Sequence, residues 1–173
     1  NVFNRVIQLV KMVVLANLLT PQAFGLVGLA TITYEFSQRL TDVGFDHAIV
    51  QRAEEDVDAY IDTTWVVKIF RGVGLFAMLF FVAPLLASVF GEPDLTVIVR
   101  VFGLVALLDG LLNPSIIYFR KDLKLHREFM FRVSATLVNV GTAVLFAVWY
   151  GTFWALVVGI VAGKIVELPL SFL

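Results

Sequence analysis

Apolar residues come in long blocks along this chain, and the breaks between them are short and polar. Residues 2–32 are apolar apart from a few positions. As one helix they would run roughly 46 Å, well beyond a ~30 Å hydrocarbon core. The pattern must therefore break, and Thr20-Pro21 is where it can: Thr20 is a capping residue, and Pro21 fits the first helical position, where a missing N–H costs nothing. This predicts helices over residues 2–19 and 21–41. A polar interval follows, opening at residues 40–52 and continuing through Glu54, Glu55, Asp56, Asp58 and Asp62.

The third predicted helix covers residues 62–90, with an uncharged block over 72–91. The sequence Gly91, Glu92, Pro93, Asp94 then signals a turn. A fourth helix over 95–119 is interrupted by Asp109 and expected to bend at Pro114. After a basic segment over 120–128, residues 133–173 are again apolar, roughly 60 Å as one helix and about twice what a bilayer accepts. Gly151-Thr152, flanked by Trp149, Tyr150, Phe153 and Trp154, divides them, and such aromatics suit the membrane–water interface. Helices five and six are placed at 128–150 and 153–173.

Composition agrees with this pattern. Of 173 residues, 60% are hydrophobic and 16% charged, with a mean hydropathy of +0.91. A soluble domain carries about a quarter charged residues, so the fold class expected is an all-α, polytopic membrane protein of six transmembrane helices. With no cysteine, disulfide frameworks and thiolate metal sites are excluded. The chain opens on Asn1 and ends at Leu173 within an apolar run, which reads as a fragment whose first helix is already under way. No signal-peptide pattern is visible.

The net charge of −1 says little, but the cations are unevenly placed. Loops one–two, three–four and five–six hold no Lys or Arg. Arg39 and Arg52 flank loop two–three, while Arg120, Lys121, Lys124, Arg127 and Arg132 lie at loop four–five. By the positive-inside rule the even loops and the N-terminus are cytoplasmic.

Polar groups inside apolar spans are expensive, and they usually face a cavity or a partner. Asn4, Gln8 and Lys11 share a stripe of helix one; Glu35, Gln38, Arg39 and Asp42 share one on helix two. Lys68 and Arg71 share a face of helix three, and Arg132, Thr136 and Asn139 one of helix five. Arg forks match phosphate oxygens and Lys supplies a point charge. Cations near helix ends instead snorkel to the interface, the reading favoured for Arg39, Arg120, Lys121, Lys124 and Arg132. Lys11, Lys68 and Arg71 lie deeper, and for them cavity lining and snorkelling both stand.

Asp109 with Asn113 fits either pairing to a cation on a neighbouring helix or ion coupling. Arg100 and Asp109 point to opposite faces of helix four. Lys164 and Glu167 fit a mutual ion pair on helix six. His47 and His126 are read as loop histidines without metal-ligand context, Glu54, Glu55 and Asp56 as a solvated face, and residues 118–129 as an interfacial helix. No nucleophile elbow, phosphate-binding glycine loop or zinc spacing appears, so neither a metal nor a cofactor is implied.

Four motifs carry a family resemblance: Leu18-Leu-Thr-Pro-Gln-Ala-Phe-Gly25, Asp42-Val-Gly-Phe-Asp-His-Ala-Ile-Val-Gln-Arg52, Phe119-Arg-Lys-Asp-Leu123 and Gly151-Thr-Phe-Trp-Ala-Leu-Val-Val-Gly159. On these the chain resembles the polysaccharide transporter group of bacterial lipid-linked oligosaccharide flippases. That group moves O-antigen and exopolysaccharide repeat units, and it shares a superfamily with multidrug exporters and the lipid II flippase. Asp46-His47 departs from the small uncharged residues more usual there.

The resemblance implies two six-helix lobes facing a central cavity, of which this chain is most of the N-terminal one. It implies residence in the bacterial cytoplasmic membrane and alternating-access flipping of a polyprenyl-diphosphate-linked oligosaccharide. Membrane lipids and other polysaccharide-assembly proteins are the implied further partners, with no nucleic acid. Lys11, Lys68 and Arg71 are then the diphosphate candidates. The alternatives are a multidrug-type exporter of the same superfamily and a membrane glycan-assembly enzyme, for which Asp56 with Asp58 is the only loose catalytic pair. A non-catalytic membrane scaffold would leave the intramembrane charges as helix glue.

Overall fold

A computed structural model describes residues 2–41, 57–112 and 125–170. Among them are six helices: α1 (Val2–Leu18), α2 (Pro21–Leu40), α3 (Val57–Phe90), α4 (Asp94–Leu111), α5 (Leu125–Tyr150) and α6 (Trp154–Leu170).

The turns form for local reasons. Thr20 is extended (φ −72°, ψ 150°), and its Oγ1 accepts from the Ala23 N–H at 3.3 Å, with Pro21 opening α2. Gly91 takes φ +68° behind α3, where the Glu92 N–H reaches back to the Ala87 carbonyl at 3.1 Å. Gly151 takes φ +59° behind α5, and its own N–H bonds the Ala147 carbonyl at 3.0 Å. Both are left-handed helix stops in which glycine avoids a Cβ penalty and the last carbonyls find donors.

Three helices differ from the sequence expectation. α3 starts at Val57 instead of residue 62, so Asp58 belongs to a helix rather than to a loop. Its 34 residues give about 51 Å, longer than the hydrocarbon core. The apolar part is Trp65–Phe90, with a mean hydropathy of 2.4. α4 stops at Leu111, with Leu112 extended at ψ 130°, instead of continuing to residue 119. The reason is close by in sequence. A residue that precedes proline is disfavoured in the α-region, so Asn113-Pro114 works against carrying the helix on, and the bend expected at Pro114 falls outside the described residues. His126 opens α5 instead of lying in a loop.

α3 packs on α4 and α5 on α6, while α4 also touches α2 and α6, and α1 leans on α5. Both principal pairs close on small residues. A Cβ at Gly72 would meet the Ala106 carbonyl at 3.0 Å and Gly110 Cα at 3.1 Å; one at Gly163 would meet Asn139 Cβ at 3.1 Å. Lipid tails are as apolar as leucine, so helices in a bilayer associate through such close packing and through polar links. Leu15, Leu79, Leu95, Ile98 and Val99 form the fully buried centre. Phe70, Phe81 and Trp149 are more than 70% exposed, an apolar exterior that suits lipid and not water. The protein is an all-α membrane protein.

Candidate functional site

One polar network crosses four helices. It begins where Arg71 of α3 meets the C-terminal turn of α2. Arg71 Nη2 donates to both the carbonyl and the Oε1 of Gln38, at 2.7 Å each, and Nε donates to Thr41 Oγ1 at 3.1 Å. A cation here complements the dipole of α2 and satisfies one of its terminal carbonyls. Gln38 passes the network inward, its Nε2 donating to Tyr34 Oη at 2.8 Å. Tyr34 in turn donates to Asp109 Oδ2 on α4. The other oxygen, Oδ1, pairs with Lys164 Nζ of α6 at 2.8 Å, and Lys164 also pairs with Glu167 Oε2 at 2.7 Å.

Lys68 and Arg71 line one cleft of about 240 Å³ together with Gln38, Gly72, Leu75, Ala106, Asp109 and Gly110. Gly110 makes this cleft possible by letting α4 approach α3, since a Cβ there would fall 2.7 Å from the Lys68 carbonyl. Among the described residues, neither Nη1 proton of Arg71 has a partner, so half of the guanidinium fork of this cleft-lining residue is open. The charged ones among the described lining residues are Lys68, Arg71 and Asp109, and Asp109 is paired with Lys164. Cations thus outnumber carboxylates among the described lining residues, and the Arg71 Nη1 group is an open donor, which is chemistry that suits an anion.

Depths follow from ~1.5 Å per helical residue. From the turn between α3 and α4, Arg71 lies about 28 Å along α3 and Asp109 about 22 Å along α4. Lys164 lies about 15 Å along α6 from its Trp154 end. The network thus runs from one edge of the apolar layer towards its middle.

Lys11 is not part of this cleft. It is 9% exposed, and its Nζ donates to Asn139 Oδ1 of α5 at 2.5 Å. With Gln8, Leu9, Met12, Leu15, Phe24 and Leu156 it lines a separate groove of about 570 Å³. The structure therefore brings Lys68 and Arg71 together and sets Lys11 apart. Asp109 pairs with a neighbouring helix's cation, and Lys164 with Glu167 pairs as their spacing implied. Arg100 stacks over Phe80, 4.3 Å from the ring centre, with a buried Nε that finds no partner among the described residues. Glu35 and Arg39 are exposed. Asn113, Asp42, Asp46, His47, Arg52, Glu54, Glu55, Asp56, Arg120, Lys121 and Lys124 lie outside the described residues, as do the side chains of Asn4, His126, Arg127 and Arg132.

Tyr34 and Thr41 are the network members that sequence reasoning missed. Tyr34 precedes Gln38 by one turn and so extends the polar stripe of α2 by a residue, a signal that was present. Thr41 carried none, since hydroxyls in helices ordinarily bond their own backbone.

Known proteins place the chain. Residues 14–173 match the family described as polysaccharide biosynthesis protein. The chain belongs to that family. Among similar proteins, an uncharacterised membrane protein in the cps region of Klebsiella pneumoniae is 34% identical over 73 residues, covering 42% of this chain and 15% of that protein. The teichuronic acid biosynthesis protein TuaB of Bacillus subtilis (strain 168) is 26% identical over 103 residues, covering 60% of this chain and 21% of that protein. The matched segments are thus a small part of each relative. No solved structure matches. The chain is thus a membrane protein of a polysaccharide biosynthesis family.

Proposed function

We propose that the chain is the N-terminal lobe of a flippase that carries a polyprenyl-diphosphate-linked oligosaccharide across the bacterial cytoplasmic membrane by alternating access. The observation that carries this reading is the half-open Arg71 guanidinium beside Lys68 in one cleft. A diphosphate spreads negative charge over several oxygens, and a planar fork beside a point charge is a good match for it. The chain acts as transporter and not as enzyme.

With the N-terminus cytoplasmic, as the cation bias of the loops argues, the cleft lies at the cytoplasmic edge of the apolar layer. A lipid-linked donor assembled inside the cell presents its diphosphate at that level. The cation excess in the cleft also favours this cargo over the cationic drugs that an acid-lined exporter would take. The names of the relatives, one in a cps region and one in teichuronic acid biosynthesis, point the same way.

The test is rescue of a strain lacking its own glycan flippase by the full-length gene, with Lys68→Ala and Arg71→Ala variants expressed to equal levels. Surface glycan should return with the parent and fall at least tenfold with Arg71→Ala. Failure of the parent across several glycan types would refute the function. Full rescue by both variants would refute the site.

A further inference from the structure

The bonds that fix Arg71 run in one direction. Arg71 Nη2 donates to Gln38 Oε1 at 2.7 Å, Gln38 Nε2 donates to Tyr34 Oη at 2.8 Å, and the Tyr34 hydroxyl donates to Asp109 Oδ2. The two ends impose this order, since a guanidinium has only donors and an ionised carboxylate only acceptors. Between them stand a carboxamide and a phenol, each able to accept on one side and donate on the other. Lys164 holds the far end: its Nζ lies 2.8 Å from Asp109 Oδ1, which leaves Oδ2 to Tyr34.

Reversal is blocked at each link. If Gln38 turned its amide over, its NH2 would meet the guanidinium, donor against donor, and its oxygen would meet a hydroxyl whose proton is committed to Asp109. The Asp109 carboxylate thus decides, through two side chains, that Gln38 shows its oxygen to Arg71. The Gln38 carbonyl and Thr41 Oγ1 also accept from Arg71, at 2.7 and 3.1 Å. The Nε and Nη2 side of the fork is therefore anchored on α2. Hydrogen bonds in such a chain polarise one another, most where the local dielectric is low. A change of charge at Arg71 is felt at Tyr34 and Asp109, and the reverse.

We infer that Gln38 and Tyr34 are positioning residues, a relay that couples the Arg71 fork in the cleft to the Asp109–Lys164 pair between α4 and α6. The pair sets the pose of the fork, and an anion on Nη1 draws on the guanidinium charge and weakens its hold on Gln38. Coupling of this kind is reciprocal. Occupancy of the cleft biases the α4–α6 contact, and that contact biases occupancy. That the cleft takes an anion rests on the reading proposed above, whereas the relay rests on the direction of the bonds. Tyr34 is suited to test it, because it is not among the residues that line the cleft.

The experiment uses NMR on the full-length protein in detergent micelles, with tyrosine isotope-labelled at the ring carbon that bears the hydroxyl. Inorganic pyrophosphate is the probe. Tyr34→Phe identifies the Tyr34 resonance by removing it. With no anion present, Arg71→Ala should shift that resonance, and should leave it in place when Gln38→Leu has cut the relay. Saturating pyrophosphate should move it in the parent and not in Gln38→Leu. Tyr34→Phe, measured below its melting transition, should weaken pyrophosphate binding by about fivefold or more.

A Tyr34 resonance indifferent to Arg71→Ala, or one that responds equally with Gln38→Leu, would overturn the relay. So would unchanged pyrophosphate affinity in Tyr34→Phe. The two readings fail separately. A protein that binds no pyrophosphate but transmits Arg71→Ala to Tyr34 keeps the relay and loses the anion cleft. Binding that depends on Arg71 and leaves Tyr34 silent does the reverse.

Discussion

Replacing Gly159 by alanine tests how far close helix approach holds this lobe together. A Cβ at Gly159 would lie 2.7 Å from Ala143 Cβ and 2.8 Å from the Asn139 carbonyl oxygen, where ordinary contact begins at 3.4 Å. Both obstacles belong to α5 and one is backbone, so no side-chain rotation relieves them. α5 and α6 must separate by several tenths of an ångström along a seam that also contains Ala135, Ala147 and Gly163. A radial gap of about 0.5–1 Å forfeits a quarter to a half of each contact's attraction, and overpacking of this kind costs about 1–3 kcal/mol.

Gly141→Ala is the control, because nothing lies within 4 Å of its Cβ position. Alanine there gains up to ~1 kcal/mol of helix propensity. Unfolding of the purified protein in mixed micelles should therefore separate the two variants by about 2 kcal/mol or more, with Gly159→Ala below the parent and Gly141→Ala at or above it. Equal stability of the two would refute the claim that the α5–α6 contact is held by missing side-chain volume.

Three further outcomes test the polar network and the first turn. Lys164→Met leaves two carboxylates facing each other in a site only about a quarter exposed. It should destabilise by about 1–3 kcal/mol, less than for a fully buried pair, and adding Asp109→Asn should recover much of the loss in a double-mutant cycle of micelle unfolding. Tyr34→Phe keeps the edge-on contact with Phe102, at 5.7 Å between ring centres, but removes the hydroxyl between Gln38 and Asp109. A cost of about 1–3 kcal/mol in the same assay is expected, and an unchanged melting profile would show that the network does not bear on stability. Thr20→Ala loses the acceptor for the Ala23 N–H and should cost about 1 kcal/mol, read as lower protection of the first turn of α2 in hydrogen exchange.

Sequence alone determined the helices and most of their stops. Apolar runs about one and a half to two times too long for a bilayer have to break, and Thr20-Pro21 and Gly151 were the local chemistries able to do it, as Gly91 was for the turn behind α3. Asn113-Pro114 was a further local signal against helix continuation, and α4 ends at Leu111, just ahead of it. The intramembrane charges were legible for a similar reason, since a charge within an apolar span stands out whatever surrounds it.

Which charges meet was not legible. Helical periodicity assigns Lys11, Lys68 and Arg71 to faces of their own helices, but one-dimensional spacing carries no information about which faces turn towards each other. That was decided by the close approach of α4 to α3 at Gly110 and of α6 to α5 at Gly159 and Gly163, where absent side chains let the backbones touch. This packing put Asp109 against Lys164, joined Arg71 to Lys68 in one cleft, and set Lys11 apart, bonded to Asn139.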